Sequence, residues 1–198
     1  MIWLTNPQPV NTYWEKARNK LSEESQQILT DYVEANKDQL MAGETKSEDD
    51  DGAKDLLTRN SKIMWIENNE ATGQLYWEIG QMIIALNNDK WNFNIDMLES
   101  LQYAEYEEGG HYAQHSDDSM VCDAGENVRK LSFSILISEH DDFEGGALDL
   151  SMFAPEWDGN IEQGEMISFP SMMPHIVQPV TKGKRKVLVG WARGPRWV

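Results

Sequence analysis

Two histidines and one aspartate are the residues of this sequence best suited to binding a metal ion. His115 and Asp117 are separated by one residue, and His175 follows much later in the chain. Residues i and i+2 of a β-strand point to the same side, so one strand can present His115 and Asp117 while a neighbouring strand supplies His175. Two imidazoles and a carboxylate on one face of an octahedron leave three positions open, as in non-haem Fe(II) sites. The pattern predicts a metal centre, although an isolated His-x-Asp is also common in surface turns.

Glycine, aromatic and arginine residues surround these positions in a fixed order. They are Tyr106, Gly109, Gly110 and Tyr112 upstream, and Phe143, Gly145, Gly146 and Arg185 downstream. From about Arg59 to the C-terminus, this ordered set resembles the prolyl-4-hydroxylase branch of the Fe(II)/2-oxoglutarate dioxygenases, in particular its small bacterial and phage-type members. The resemblance implies Fe(II) as the metal, 2-oxoglutarate and O2 as cosubstrates, and ascorbate as a further candidate cofactor.

The resemblance also implies a role for each matched residue. The residues implied to bind Fe(II) are His115, Asp117 and His175. Those implied to bind 2-oxoglutarate are Arg185, at its distal carboxylate, and Tyr106, through a hydrogen bond. Those implied to contact the substrate are Tyr112, Arg129 and Trp191. The three aromatic residues can also be explained as structural side chains, with no chemical role.

Arg185 lies in a basic segment, so its role needs an argument beyond the resemblance. A guanidinium can bind a carboxylate through two hydrogen bonds, which an ammonium cannot match geometrically. Strand alternation places Arg185 on the same face as Val189 and Trp191, whereas Lys184 and Lys186 point the other way. If that face is the interior, Arg185 is a buried charge that requires an anionic partner. The alternative is an ordinary basic turn.

The sequence departs from the family pattern at Leu136. Many prolyl hydroxylases have a second tyrosine at this position, counted from Arg129, and its hydroxyl reaches the same carboxylate as the basic residue. Leu136 has no hydroxyl. Either Ser134, which lies on the same face of the strand, takes this place, or the carboxylate is bound by Arg185 and water.

Composition sets limits on partners and location. The chain has 198 residues, a formal net charge of −17 and one cysteine, Cys122. This length suits a single domain over residues 1–198. The negative charge opposes binding to nucleic acid or to anionic lipid. The N-terminus lacks a basic segment followed by an apolar run, and no window approaches the roughly 20 apolar residues that cross a bilayer. We expect a cytoplasmic protein with no disulfide, of unknown oligomeric state.

The distribution of apolar residues predicts an α+β protein with a mainly β core. Residues 1–90 read as a mainly helical support region, with helical spacing over Thr12–Leu40, an N-cap at Ser22 and an amphipathic helix over Leu75–Leu86. The polar run from Gly43 to Lys54 reads as a solvated loop. Residues 91–198 read as short strands, and alternation is almost strict over Leu131–Ser138. Even spacing of such strands suggests a jelly roll, the double-stranded β-helix that the resemblance also implies.

These observations favour an Fe(II)- and 2-oxoglutarate-dependent dioxygenase that hydroxylates a prolyl residue of a protein or peptide. The segment Ser119–Lys130 is loop-like and could close over that substrate. Two alternatives stay open. The first is oxidation of a free amino acid or another small molecule, with Arg129 binding its carboxylate. The second is a non-catalytic, cupin-like metal-binding protein, which would leave Arg185 and Trp191 unexplained. A nucleic-acid demethylase is disfavoured by the negative charge.

Overall fold

The computed structural model describes residues 12–43, 58–117 and 127–196. Two α-helices are present in these residues, α1 (Glu23–Ala35) and α2 (Gly73–Leu86). The strands, in chain order, are β1 (Glu15–Lys16), β2 (Met41–Ala42), β3 (Arg59–Asn60), β4 (Lys62–Ile66), β5 (Met97–Leu98), β6 (Leu101–Tyr106), β7 (His111–His115), β8 (Val128–Leu136), β9 (Phe143–Gly145), β10 (Leu148–Asp149), β11 (Met166–Pro170), β12 (His175–Val177), β13 (Val180–Gly183) and β14 (Arg185–Gly194). The predicted α+β class with a mainly β core is confirmed.

The strands form two principal sheets. The large sheet has the order β1-β11-β8-β14-β6-β4-β2, and β5 pairs with β14 at one end. The small sheet has the order β10-β12-β7-β3, and β9 and β13 form a separate ribbon. All strand pairs are antiparallel, and most neighbours in a sheet are distant in sequence, as β12 and β7 are. This connectivity brings residues from both halves of the chain to the space between the sheets.

The two helices cover the outer face of the large sheet. Leu131, Phe133 and Ile135 of β8 are almost completely buried in the same apolar cluster as Leu75 and Ile79 of α2. Full burial of each such side chain contributes about 1.5–3 kcal/mol. The alternation predicted for β8 is therefore confirmed, and the opposite face of this strand is left to line the interior between the sheets.

Ser22 is the N-cap of α1, as the sequence predicts. Its hydroxyl accepts a hydrogen bond from the Ser25 N–H at 3.2 Å, which satisfies one of the free donors of the first turn. The carboxylate of Glu78 on α2 accepts from both the N–H and the hydroxyl of Ser22, at 2.7 and 2.6 Å. The cap therefore also links the two helices.

The N-terminal half is less helical than predicted. Helical structure in the predicted span Thr12–Leu40 is confined to α1 and a short 3-10 turn, because residues before Ser22 pair with other elements. Glu15 and Lys16 add a strand to the edge of the large sheet, and Trp14 packs against Trp157 with ring centroids 4.7 Å apart. Residues 1–90 also contribute β3 and β4 to the two sheets. Long-range packing overrides the local helical periodicity here.

Several predictions fall partly or wholly outside the described residues. These are Cys122, most of the predicted lid segment Ser119–Lys130, and all of the predicted polar loop Gly43–Lys54 except Gly43. The last residues of that segment, Val128 to Lys130, are not a loop but the start of β8, where the large sheet provides backbone partners. In the described part of the chain, neither helix has the length and apolarity required to span a bilayer.

Candidate active site

His115, Asp117 and His175 meet at one end of the small sheet. His115 on β7 lies directly opposite His175 on β12 in the strand register. The Asp117 carboxylate lies 3.6 Å from His115 Nε2 through Oδ1, and 3.7 Å from His175 Nε2 through Oδ2. One ligand atom from each of the three residues can be chosen so that all lie within 4.8 Å of one another. These distances suit donors arranged around a single cation.

Backbone hydrogen bonds fix the orientation of both imidazoles. His115 Nδ1 lies 2.9 Å from the carbonyl oxygen of Ala113, and His175 Nδ1 lies 3.0 Å from that of Met173. A carbonyl oxygen can only accept, so each Nδ1 must carry the proton. In the neutral ring, this contact leaves the lone pair on Nε2, the nitrogen on the Asp117 side, which is a tautomer that metal-binding histidines adopt.

The charge states of His115 and Asp117 also suit metal binding. Burial, reinforced by the neighbouring His175, lowers the pKa of His115 to about 4, so this ring is neutral at neutral pH. Burial alone would raise the pKa of Asp117. The imidazoles of His175 and His115, with a hydrogen bond from Ser132, outweigh it and hold the pKa below its ordinary value. The pair offers a neutral nitrogen and an ionised carboxylate.

A cavity of about 260 Å³ lies between the sheets beside these three residues. It brings together every residue for which the resemblance implied a role in binding metal, cosubstrate or substrate. In addition to His115, Asp117 and His175, those residues are Tyr106, Tyr112, Arg129, Ser134, Arg185 and Trp191. The two histidines come from the small sheet, whereas Tyr106, Arg129, Ser134, Arg185 and Trp191 come from the large sheet.

Arg185 is a buried cation in this cavity. Arg185 is 3% exposed, and it forms no ion pair with any carboxylate among the described residues. Burial lowers the pKa of Arg185 to about 10, so the guanidinium remains charged at neutral pH. Lys184 and Lys186 line a groove on the other side of the large sheet, and Lys184 pairs with Glu105 at 2.9 Å. Arg185 is the inward-facing basic residue of this segment.

Gly146 makes room for the Arg185 side chain. Its φ is +66°, and a Cβ at this position would lie 2.8 Å from Val180 Cγ2 and 2.9 Å from Arg185 Cδ. We expect Gly146→Ala to lower the free energy of unfolding by about 1–3 kcal/mol, because a side chain is strained in this backbone region. Urea unfolding measures the effect.

Gly80 provides the matched control for this change. It lies within α2, and a Cβ there would have no heavy atom within 4 Å. Gly80→Ala should raise the unfolding free energy by about 0.5–1 kcal/mol, as alanine usually does in a helix. A Gly146→Ala protein as stable as the wild type would contradict the steric role of Gly146.

Ser134 and Leu136 differ in what they contribute to the cavity. Ser134 lines it and is 5% exposed. Leu136 packs instead in an apolar cluster with Tyr106, Val180 and Val187. Of the two positions, only Ser134 brings a hydroxyl to the cavity wall.

The residues implied to contact substrate have partners within the protein. Tyr112 stacks on His115 with ring centroids 3.6 Å apart and an interplanar angle of 17°. Arg129 donates two hydrogen bonds to the Glu99 carboxylate, at 2.9 and 2.7 Å, and its guanidinium lies 3.8 Å from the ring centroid of Trp191. The Trp191 side chain also helps to lower the pKa of Asp117. Arg129 is therefore already bound to a carboxylate of the same chain.

Three residues that line the cavity and one that contacts Asp117 from behind it were not predicted as site residues. Arg59 donates to Ser61 Oγ and to Gln102 Oε1, each at 2.8 Å, and its guanidinium lies 4.6 Å from the ring centroid of Tyr112. Trp65 is 41% exposed at the cavity and lies 6.1 Å from Trp191 between ring centroids. Ser132, described below, donates to Asp117. The segment that contains Arg59 and Trp65 resembles an early strand of the family, but the resemblance gave neither residue a role. No local sequence signal marks Gln102 or Ser132, because strands distant in the sequence bring them to the site.

Part of the chain is similar in sequence to known oxygenases. Residues 101–193 match the 2OG-Fe(II) oxygenase superfamily. Over 89 residues the chain is 37% identical to a PKHD-type hydroxylase of Idiomarina loihiensis, covering 44% of this chain and 39% of the relative. A PKHD-type hydroxylase of Synechococcus sp. is 31% identical over 98 residues, covering 49% of this chain and 44% of the relative. The matches thus span less than half the length of these curated relatives.

Solved structures share the fold over almost the whole chain. A viral collagen prolyl hydroxylase of Paramecium Bursaria Chlorella virus-1 superposes with a TM-score of 0.67 at 18% identity, covering 93% of this chain and 97% of the other. A Pseudomonas putida prolyl-4-hydroxylase gives 0.66 at 21% identity, covering 93% and 94%. The predicted jelly-roll fold and the resemblance to this group of oxygenases are both confirmed.

Proposed function

We propose that this chain, whose residues 101–193 match the 2OG-Fe(II) oxygenase superfamily, is an Fe(II)- and 2-oxoglutarate-dependent dioxygenase that hydroxylates a prolyl residue of a protein or peptide. The observation that carries the proposal is the presence of two features in one cavity. A His-Asp-His set that can bind a metal lies beside a buried arginine without a described carboxylate partner. Each feature requires a ligand, and an iron ion with a dicarboxylate would satisfy both.

His115, Asp117 and His175 fit Fe(II) by the chemistry of their donors. Two imidazoles and one carboxylate converge from one side, which leaves open positions facing the cavity. When bound, iron together with 2-oxoglutarate and O2 supplies the oxidising power for C–H hydroxylation, with release of succinate and CO2. The protein contributes orientation, a cavity of limited size and the electrostatic environment.

Arg185 is suited to the distal carboxylate of 2-oxoglutarate. A guanidinium buried in a cavity is strongly stabilised by an anion that reaches it, because an unpaired buried charge is costly. Tyr106 lies on β6 directly opposite Arg185 in the register, and Ser134 lies on the adjacent strand β8. We propose that both hydroxyls hydrogen-bond the same molecule, with Ser134 replacing the tyrosine that is missing at Leu136.

Aromatic residues at the cavity favour a prolyl substrate. Trp191 and the partly exposed Trp65 provide flat, rigid and apolar surfaces of the kind that pack against a pyrrolidine ring. Tyr112, stacked on His115, extends this aromatic lining toward the metal ligands. A prolyl hydroxylase of Trichoplax adhaerens, solved in complex with a hypoxia-inducible factor peptide fragment, has a TM-score of 0.64 to this chain at 18% identity, over 92% of this chain and 84% of the other.

A second candidate function is oxidation of a free amino acid or another small acid. Arg129 supports it poorly, because Glu99 already accepts two hydrogen bonds from that guanidinium. Arg59 favours this second function. It lines the cavity, forms no ion pair with a described carboxylate, and could bind the carboxylate of a ligand. A cupin-like binding protein would bind the metal but gives no reason for burying Arg185.

Hydroxylation assays with Fe(II) and 2-oxoglutarate separate these functions. We expect a proline-containing peptide to gain the mass of one oxygen atom on a prolyl residue, as mass spectrometry would show. The same peptide with alanine in place of proline is the matched control and should remain unmodified. Modification of free amino acids, with no prolyl peptide modified, would replace the prolyl proposal by the second candidate.

A further inference from the structure

We propose that Ser132 and Ser171 form a hydrogen-bonded pair that orients the Asp117 carboxylate for metal binding. This inference rests on the function proposed above, because it assigns positioning residues to the same metal centre. Ser132 lies on β8 of the large sheet, and Ser171 directly follows β11. Ser132 Oγ lies 2.7 Å from Asp117 Oδ2 and 3.0 Å from Ser171 Oγ.

The direction of these hydrogen bonds follows from the groups involved. An ionised carboxylate can only accept, so the single hydroxyl proton of Ser132 must point to Asp117 Oδ2. Ser132 can then take part in the contact with Ser171 only as an acceptor, and the Ser171 hydroxyl must donate. The chain runs from Ser171 Oγ to Ser132 Oγ to Asp117 Oδ2, and each bond strengthens the next by polarisation.

Both serines are buried, so their hydroxyl groups need hydrogen-bond partners inside the protein. Ser132 is 2% exposed and Ser171 is fully buried. Burying a hydroxyl group without a hydrogen-bond partner generally costs about 1–3 kcal/mol. Ser171 also accepts the backbone N–H of Asp117 at 3.0 Å, and its own N–H donates to the Lys130 carbonyl at 3.0 Å. Ser171 thus fixes the main chain of Asp117 and, through Ser132, its carboxylate.

The serine pair fixes the orientation of the Asp117 carboxylate, as backbone carbonyls fix the orientation of the two histidine rings. His115 and His175 come from the small sheet, and each ring is fixed by a carbonyl two residues earlier. Asp117 lies beyond the end of β7, and its carboxylate is tied instead to β8 of the large sheet. The third metal ligand is therefore held from the opposite wall of the cavity. Loss of such an outer partner typically weakens metal binding by about 10–100-fold.

Titration with Co(II), an oxygen-stable probe of Fe(II) sites, tests the proposal without any turnover. We expect Ser132→Ala to weaken Co(II) binding by roughly 10–100-fold by calorimetry. Ser132→Thr, which keeps the hydroxyl, should retain most of the affinity. Ser171→Ala should cause a smaller loss, and none beyond that of Ser132→Ala when the two are combined, because Ser171 acts through Ser132.

Ser168→Ala is the matched control. Ser168 is also fully buried on β11, but its hydroxyl donates to the Ser132 carbonyl oxygen at 2.9 Å and does not contact Asp117. It should keep wild-type Co(II) affinity, while thermal unfolding shows that each variant is folded. Ser171→Ala tests the same chain of bonds if Ser132→Ala does not fold.

The outcomes separate this inference from the proposed function. Unchanged affinity in Ser132→Ala, an equal loss in Ser168→Ala, or failure of Ser132→Thr to retain binding would each overturn the positioning role while leaving the metal centre in place. A wild-type protein that binds no Co(II) would overturn the metal centre itself.

Discussion

His115→Ala, Asp117→Ala and His175→Ala should each abolish Fe(II)-dependent turnover of 2-oxoglutarate. Each change removes one of the three donors, which converge within 4.8 Å. Loss of a direct ligand should weaken metal binding by more than the roughly 10–100-fold that follows loss of an outer partner. The measurement is calorimetric Co(II) affinity together with succinate formation under Fe(II).

His140→Ala is the control for these variants. His140 is a histidine with a side chain 90% exposed, and it does not line the cavity. It should keep both metal affinity and turnover. Retention of iron-dependent activity by any one of the three ligand variants would remove that residue from the metal centre.

Arg185→Ala should weaken 2-oxoglutarate binding by roughly a hundredfold or more. Removing one member of a buried charged pair costs about 3–5 kcal/mol, and about 1.4 kcal/mol corresponds to a tenfold change in Kd. Arg185→Lys should fall between the wild type and Arg185→Ala, since an ammonium keeps the charge but not the paired hydrogen bonds. The Kd for 2-oxoglutarate, measured without O2 in the metal-loaded protein, gives the result.

Lys186→Ala tests whether the effect is specific to the inward-facing base. Lys186 follows Arg185 on β14, but it lines the groove on the other side of the large sheet. It should leave the Kd for 2-oxoglutarate near the wild-type value. An unchanged Kd in Arg185→Ala would transfer the carboxylate-binding role to another residue, with Arg59 as the next cavity arginine.

Features that depend on local spacing could be predicted from the sequence. Strand alternation correctly placed Leu131, Phe133 and Ile135 of β8 on one apolar face, and it separated Arg185 from Lys184 and Lys186. The Ser22 cap and helix α2 also follow local rules, because capping and amphipathic periodicity act within a few turns. The roles of the matched residues at the site came from the resemblance and stay predictions.

Features that depend on distant partners could not be predicted in this way. Nothing near Arg129 in sequence indicates that Glu99 would bind it, and Ser132 became relevant only through Asp117 and Ser171. Trp14 follows a helical pattern, yet it packs against Trp157 beside an added edge strand. In each case the deciding contact joins residues separated by 15 or more positions, between which sequence periodicity carries no information.

Succinate formation from 2-oxoglutarate is the most direct measurement of the central claim. The purified protein should produce succinate only when Fe(II) and O2 are both present, and production should rise when a proline-containing peptide is added. Arg185→Ala and Asp117→Ala should produce little or none under the same conditions. Absence of succinate from folded, iron-supplied protein across a panel of prolyl peptides and free amino acids would contradict the assignment as a 2-oxoglutarate-dependent oxygenase.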